Sequence, residues 1–216
     1  MLKVQDFYQR IWKEYADPDQ HPITAQGLVA QAEILRVFLE ERKPRTVLDL
    51  GCGPRPAIDP QQAPLVVSAD IVPEMLTSLR ATRVSRAVCL DALSLPFRKG
   101  CFDLVWCGLL VDHVGEVRRW IEELVSLLKA GGSLGMACWD RALLPRERYP
   151  QDKVMRYTCS SGEELAVTSH PNWEEALRIL KRLDPGLQIR SVPIVPGQYV
   201  LQVAFAEPGK PSPHPS

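Results

Sequence analysis

Residues 46–53, Thr-Val-Leu-Asp-Leu-Gly-Cys-Gly, limit what this chain can fold into more than any other stretch. Thr46 to Leu50 are β-branched or apolar except at Asp49, which is how a strand covered on both faces reads. Gly51 and Gly53 follow at once, where a strand turns sharply and a ligand can approach the backbone. A carboxylate at the end of a buried strand is costly without a donor. Asp49 therefore calls for a donor on a ligand or in a donor-rich turn. The stretch reads as the edge of a nucleotide-type pocket at the carboxyl end of a first strand. It is not the dinucleotide fingerprint, because Pro56 stands where the third glycine of G-x-G-x-x-G belongs.

Further strands follow at regular intervals. Leu65 to Ala69 is a second apolar run ending in Asp70, an acid placed to hold two ribose hydroxyls. Ala87 to Leu90 is a third, ending in Asp91-Ala92, and Phe102 to Cys107 is a fourth. Acids therefore stand at or just beyond three strand ends, the edge at which open α/β sheets bind ligands.

Helical patterns fill the intervals. Gln5 to Tyr15 predicts a short helix with Tyr8, Ile11, Trp12 and Tyr15 on one face. Thr24 is suited to cap a second helix to about Glu41, with Leu28, Ala32, Leu35, Phe38 and Leu39 inward. Pro73 to Arg80 and Val117 to Lys129 read as helices, the latter ended by Gly131-Gly132 before a fifth strand over Ser133 to Trp139. Asp140 to Pro171 shows poor periodicity and predicts a loop or partial helix beside the cleft. Asn172 caps a helix over Trp173 to Leu183, and Leu187–Val195 with Gln198–Ala206 alternate about Pro196-Gly197 as an antiparallel hairpin. The tail 207–216, with four prolines and no large apolar residue, predicts disorder.

Composition narrows the function classes. A chain of 216 residues can bury roughly 70% of its unfolded surface, enough for one core. Lysine plus arginine equals aspartate plus glutamate at 26 each, which leaves no electrostatic footprint for nucleic acid or an anionic membrane. No run of 18 apolar residues occurs and the N-terminus lacks a signal-type apolar region, so a cytoplasmic protein is expected. Six cysteines without a C-x-x-C pair argue against zinc or a disulfide framework.

With these pieces in order, the chain resembles the class I S-adenosylmethionine-dependent methyltransferases, small-molecule branch. The resemblance is carried by Val47–Gly53, Ala69–Leu76, Asp91–Phe97, Phe102–Val114 and the turn Leu127–Leu134. It is close over about residues 5–140. It implies one domain over residues 1–206, a Rossmann-like three-layer α/β sandwich. The sheet would have seven strands, mostly parallel, with a C-terminal antiparallel hairpin. The helices of residues 1–43 would cover the pocket. The cofactor implied is S-adenosylmethionine, with no metal, and the partner implied is a small-molecule acceptor; oligomeric state is left open.

By the same resemblance, Asp49 and the turn Gly51-Cys52-Gly53 would hold the methionine end of the donor, and Asp70 the ribose. Asp91 would accept from the adenine amino group, with Ile71, Ala92 and Leu93 packed on the ring. Cys107, Gly108 and Leu109 would lie beneath the reacting methyl, and Tyr15 would close over the pocket. Alternatives stay open at each acid, since Asp49, Asp70 and Asp91 are also suited to cap local turns. His113 is the candidate general base, or a packing residue. The departure from the resemblance is Pro54 to Pro64. Prolines at 56, 60 and 64 allow one or two helical turns at most, and Arg55 is placed to intrude or to reach the donor carboxylate. A catalytically silent methyltransferase-fold protein, acting as a partner or activator subunit, is the alternative function.

Overall fold

The computed structural model describes residues 1–15, 17, 19, 22–77, 79, 86–140, 142, 144, 153–170, 173–183, 187–196 and 198–204. Nine strands occur among them: β1 Thr46–Leu50, β2 Leu65–Asp70, β3 Arg86–Cys89, β4 Phe102–Gly108, β5 Leu128–Trp139, β6 Val154–Thr158, β7 Glu164–Thr168, β8 Gln188–Val195 and β9 Gln198–Ala204. Four helices accompany them: α1 Val4–Ile11, α2 Pro22–Arg42, α3 Val117–Ser126 and α4 Trp173–Leu183. Seven strands make one sheet in the order β3-β2-β1-β4-β5-β9-β8, and β6 pairs with β7 apart from it. β1 to β5 run parallel, while β9 is antiparallel to both β5 and β8.

Strand alternation sorts the side chains into two cores. Leu48, Leu50, Val105, Cys107, Leu134 and Met136 face α3 and α4, where Ile121, Leu124 and Leu180 cover them. Val47, Leu104, Trp106, Ala137 and Val200 face the other way, under Leu35, Phe38 and Leu39 of α2. Asp49 lies between Leu48 and Leu50 and so falls on the α2 face, level with Trp106. α2 presents Gly27, Gln31 and Leu35 to that face, spaced four residues apart. Gly27 gives room to Gln198, since a Cβ there would stand 2.6 Å from Gln198 Oε1 and that side chain would have to shift.

Four local expectations are corrected. α1 stops at Ile11 and buries Phe7 with Ile11, while Tyr8 and Tyr15 are partly buried and pack against that cluster. α3 ends at Ser126, capped by the Leu127 amide, and the chain is already extended from Leu128. Gly131 and Gly132 thus lie within the irregular start of β5, where its register against β4 shifts. The stretch after Asp140 holds a hairpin, β6–β7, whose buried Met155, Tyr157, Leu165 and Val167 alternate with exposed or half-exposed residues. The helix expected from Pro73 opens as a tight turn, the amides of Met75, Leu76 and Thr77 bonding carbonyls three residues back; Thr77 and Leu79 are helical, and residues 78 and 80 lie outside the described residues. The caps expected at Asn172 and Asp184-Pro185-Gly186, and the tail 207–216, lie outside the described residues.

The proline-rich segment is irregular, as its sequence requires. Its regular structure is a three-residue 3₁₀ turn, Pro60–Gln62, closed by a capping box between Asp59 and Gln62. Ile58 is fully buried against the α2 face and anchors the loop.

α1 and β6–β7 form a third apolar cluster of their own, with Phe7, Ile11, Met155, Tyr157, Leu165 and Val167 at its centre. Leu2 bridges to Val167, Arg10 pairs with Glu163 at 2.7 Å, and Glu14 accepts from Ser160 at 2.7 Å. This unit sits at the carboxyl end of the main sheet.

Candidate active site

A cleft of about 410 Å³ opens at the carboxyl ends of β1, β2 and β4, beneath α1. Gly51 and Gly53 begin it with φ values of +70° and +62°, which side-chain-bearing residues rarely adopt. The turn lets the Gly51 and Cys52 amides reach the Ala69 carbonyl, at 2.8 and 3.1 Å, tying β1 to β2. Asp70 then closes the turn from the other side. Its Oδ2 accepts from the Gly53 amide and its Oδ1 from the Val72 amide, both at 2.9 Å. The side chain serves the local turns and also lines the cleft. Burial pushes its carboxyl up, opposed by those amides.

Ile71, Asp91, Ala92 and Leu93 line the same end of the cleft. Asp91 Oδ1 accepts from the Leu93 amide at 2.9 Å, an Asx turn made by an exposed residue. The Trp120 indole donates to the Ala92 carbonyl at 3.0 Å and fixes this loop to α3. Leu93 is 57% exposed, an apolar side chain held in the open beside the cleft.

The opposite end is built by α1 and the segment after β4. Tyr8, Tyr15, Gly108, Leu109 and His113 line it. Leu109 has φ +55°, a strained value for leucine, while its amide donates to the Ala137 carbonyl at 3.1 Å. His113 Nδ1 lies 2.9 Å from the Thr168 carbonyl, and Nε2 lies 2.7 Å from the Tyr8 hydroxyl. A carbonyl only accepts, so Nδ1 carries the proton and Nε2 receives the hydrogen bond of Tyr8. Burial lowers the His113 pKa, only partly offset by the Thr168 carbonyl, so the ring is neutral near pH 7.

A smaller recess of about 30 Å³ lies against this cleft on the α2 face and shares Tyr15, Gly51, Gly53 and Gly108 with it. Asp49, Cys52, Arg55 and Trp106 line it with Gln31. Asp49 is 1% exposed and receives the Ile58 amide, while its Oδ2 has no hydrogen-bond partner. Burial first, then the charge of Asp70, raises its pKa to about 7. Burial and the same two acids push the Cys52 thiol well above its usual range, so it is no nucleophile.

Of the residues expected at a site, Tyr15, Gly51, Gly53, Asp70, Ile71, Asp91, Ala92, Leu93, Gly108, Leu109 and His113 thus meet in the cleft. Asp49 and Cys52 stand in the adjoining recess. Cys107 is set apart, because strand alternation turns it into the α3–α4 core, fully buried and lining neither space. Tyr8 and Gln31 are the residues sequence reading underrated. Tyr8 reads equally as core stripe, and a glutamine among apolar neighbours gives no periodic signal.

Residues 48–136 match the family described as a methyltransferase domain. Over that segment, with its sheet order and strand-end acids, the chain is similar to the class I S-adenosylmethionine-dependent methyltransferases. A malonyl-(acyl-carrier protein) O-methyltransferase of Herminiimonas arsenicoxydans is 38% identical over 92 residues, covering 41% of this chain and 35% of that one. The chain spans about a third of the length of the curated relatives it first matches. Among solved structures, a DhpI–SAM–HEP complex superposes with TM-score 0.70 at 18% identity, over 92% of this chain and 94% of that one. The magnesium protoporphyrin IX methyltransferase of Synechocystis PCC 6803, with bound SAM, gives 0.68 at 17% identity, over 94% and 95%. Among the described residues no helix is long and apolar enough to cross a membrane.

Proposed function

We propose that this protein transfers a methyl group from S-adenosylmethionine to a small-molecule acceptor. The carrying observation is that one cleft joins the strand-end acids to the Tyr8–His113 pair. The residues suit the donor's chemistry. Asp70 and Asp91 offer carboxylate acceptors to hydroxyl and amino groups, Ile71 and Leu93 offer apolar faces to a flat ring, and Asp49 Oδ2 is a buried acceptor awaiting a donor. Arg55, at the rim of the recess, is the cation for a carboxylate. S-adenosylmethionine supplies an electrophilic methyl on a sulfonium, so the protein's work is alignment, exclusion of water and care of one proton.

Tyr8 and His113 manage that proton. The Tyr8 hydroxyl donates to His113 Nε2, and a phenol oxygen that donates its proton can also accept, here from an acceptor O–H or N–H. As the acceptor gains its methyl, its proton passes to Tyr8 and the phenol proton passes to Nε2. The charge that leaves the sulfonium thus ends on the imidazolium, which the Thr168 carbonyl steadies through Nδ1. Tyr8 is the group that touches the acceptor in this reading and His113 acts through it.

Calorimetry with S-adenosylhomocysteine and with NAD tests the donor assignment. Binding of S-adenosylhomocysteine and indifference to NAD is expected; the reverse would overturn it. The irregular 54–64 loop favours a second reading, a silent partner subunit. Donor binding with no methyl transfer to any acceptor in a broad screen would move the assignment there.

A further inference from the structure

We infer that Gln31 of α2 is a donor-site residue, its amide oxygen forming with Asp49 a two-acceptor seat for a primary ammonium group. The inference rests on the methyl-donor reading above and adds to it a residue from outside the strand-end motifs. Gln31 is fully buried and lines the recess beside Asp49. Its Oε1 and Asp49 Oδ2 are both buried without a hydrogen-bond partner. That oxygen lies close to Gly108, where a Cβ would come within 3.3 Å of it. It therefore stands over the end of β4, at a residue that lines both the recess and the main cleft.

Two bare acceptors in one small space, one of them a carboxylate, are costly unless a donor fills it. A recess of about 30 Å³ has room for a group the size of one water. An ammonium carries several N–H donors at that size and a positive charge for Asp49. The α-amino group of an amino-acid moiety fits, and a dimethylated or acylated amine does not.

Gln31 is also held to its task. Its Nε2 donates to Gln198 Oε1 at 3.1 Å, and Gln198 in turn is wedged over Gly27. The amide is thus oriented before a ligand arrives, which lowers the entropy cost of binding. The same contact links the seat to β9, an element with no residue in the recess.

The test compares S-adenosylhomocysteine with 5′-methylthioadenosine, which keeps the nucleoside but lacks the amino-acid end. Gln31→Met should weaken S-adenosylhomocysteine about tenfold, the loss of one hydrogen bond to a charged group, and leave 5′-methylthioadenosine unchanged. Unchanged binding of both, or an equal loss for both, would overturn the inference and return Gln31 to a packing role. Should Gln31→Met not fold, Gln198→Met carries the same test, because it frees the Gln31 amide without entering the recess. A smaller loss confined to S-adenosylhomocysteine supports the seat, and none overturns it. Failure of the unaltered protein to bind S-adenosylhomocysteine would instead sink the donor reading beneath it.

Discussion

Asp49 carries a charge problem that a ligand can solve. Its folded pKa, about 7, lies above the ordinary 3.8, so its contribution to stability is present below about pH 4 and lost as pH rises through 7. Asp49→Asn should therefore raise the unfolding free energy at pH 8 by roughly 1–3 kcal/mol, read by urea denaturation, while weakening donor binding. A cation beside Asp49 lowers its pKa, so S-adenosylhomocysteine should bind more tightly from pH 6 to 8 with release of a proton. Calorimetry in two buffers of different ionisation heat shows that release; proton uptake would contradict it. At the other end of the cleft, Tyr8→Phe and His113→Ala should each lower turnover by about 10²-fold, with donor affinity held. Acting as one relay, the double variant should lose little more than either alone. Full turnover in Tyr8→Phe would leave the pair a packing contact. Asp49, Asp70 and Asp91 were legible because an acid at the end of an apolar strand breaks a pattern. Gln31 was not, since only the register of α2 over β1 and β4 makes its position polar. Cys107 was misplaced because adjacency in the chain outweighed alternation, which already sends residues 106 and 107 to opposite faces.

At the level of elements, the cover of the cleft is α1 together with β6–β7, an apolar cluster of its own joined to the body by polar ties. Tyr8 to His113, Gln5 to the Ile71 carbonyl at 3.3 Å and Gln9 to Glu74 at 2.8 Å are three of these. His113 to Thr168 and the His170 amide to the Asp112 carbonyl tie the hairpin side. A unit with its own core moves as one body when surface ties yield. On addition of S-adenosylhomocysteine, amides of α1 and of β6–β7 should slow in hydrogen exchange together. Protection of α1 alone would show that the helix moves without the hairpin. The β6–β7 pair escaped sequence reading although Val154–Thr158 and Glu164–Thr168 do alternate. Each strand is five residues long and buries its side chains against α1 rather than the main core, so neither reads as a long apolar run.

For the molecule as a whole, the main sheet was the most legible part. Its strands are buried on both faces and announce themselves by continuous apolar runs. Boundaries failed where backbone geometry outvotes composition, as at β5, which begins before the glycines expected to precede it. Two cores divide the labour. The α2 face admits Asp49, Gln31 and Gln198 among its buried residues and so houses the recess. The bridge from Leu2 to Val167 has a consequence for how the protein is made. Leu2 has its partner 165 positions later, so the roof of the site cannot be set until the chain has been made beyond Val167. A nascent chain that has emerged as far as residue 140 would already hold the five parallel strands and their acids, yet present them to water without cover. Ligand capture thus waits until β7 has been made.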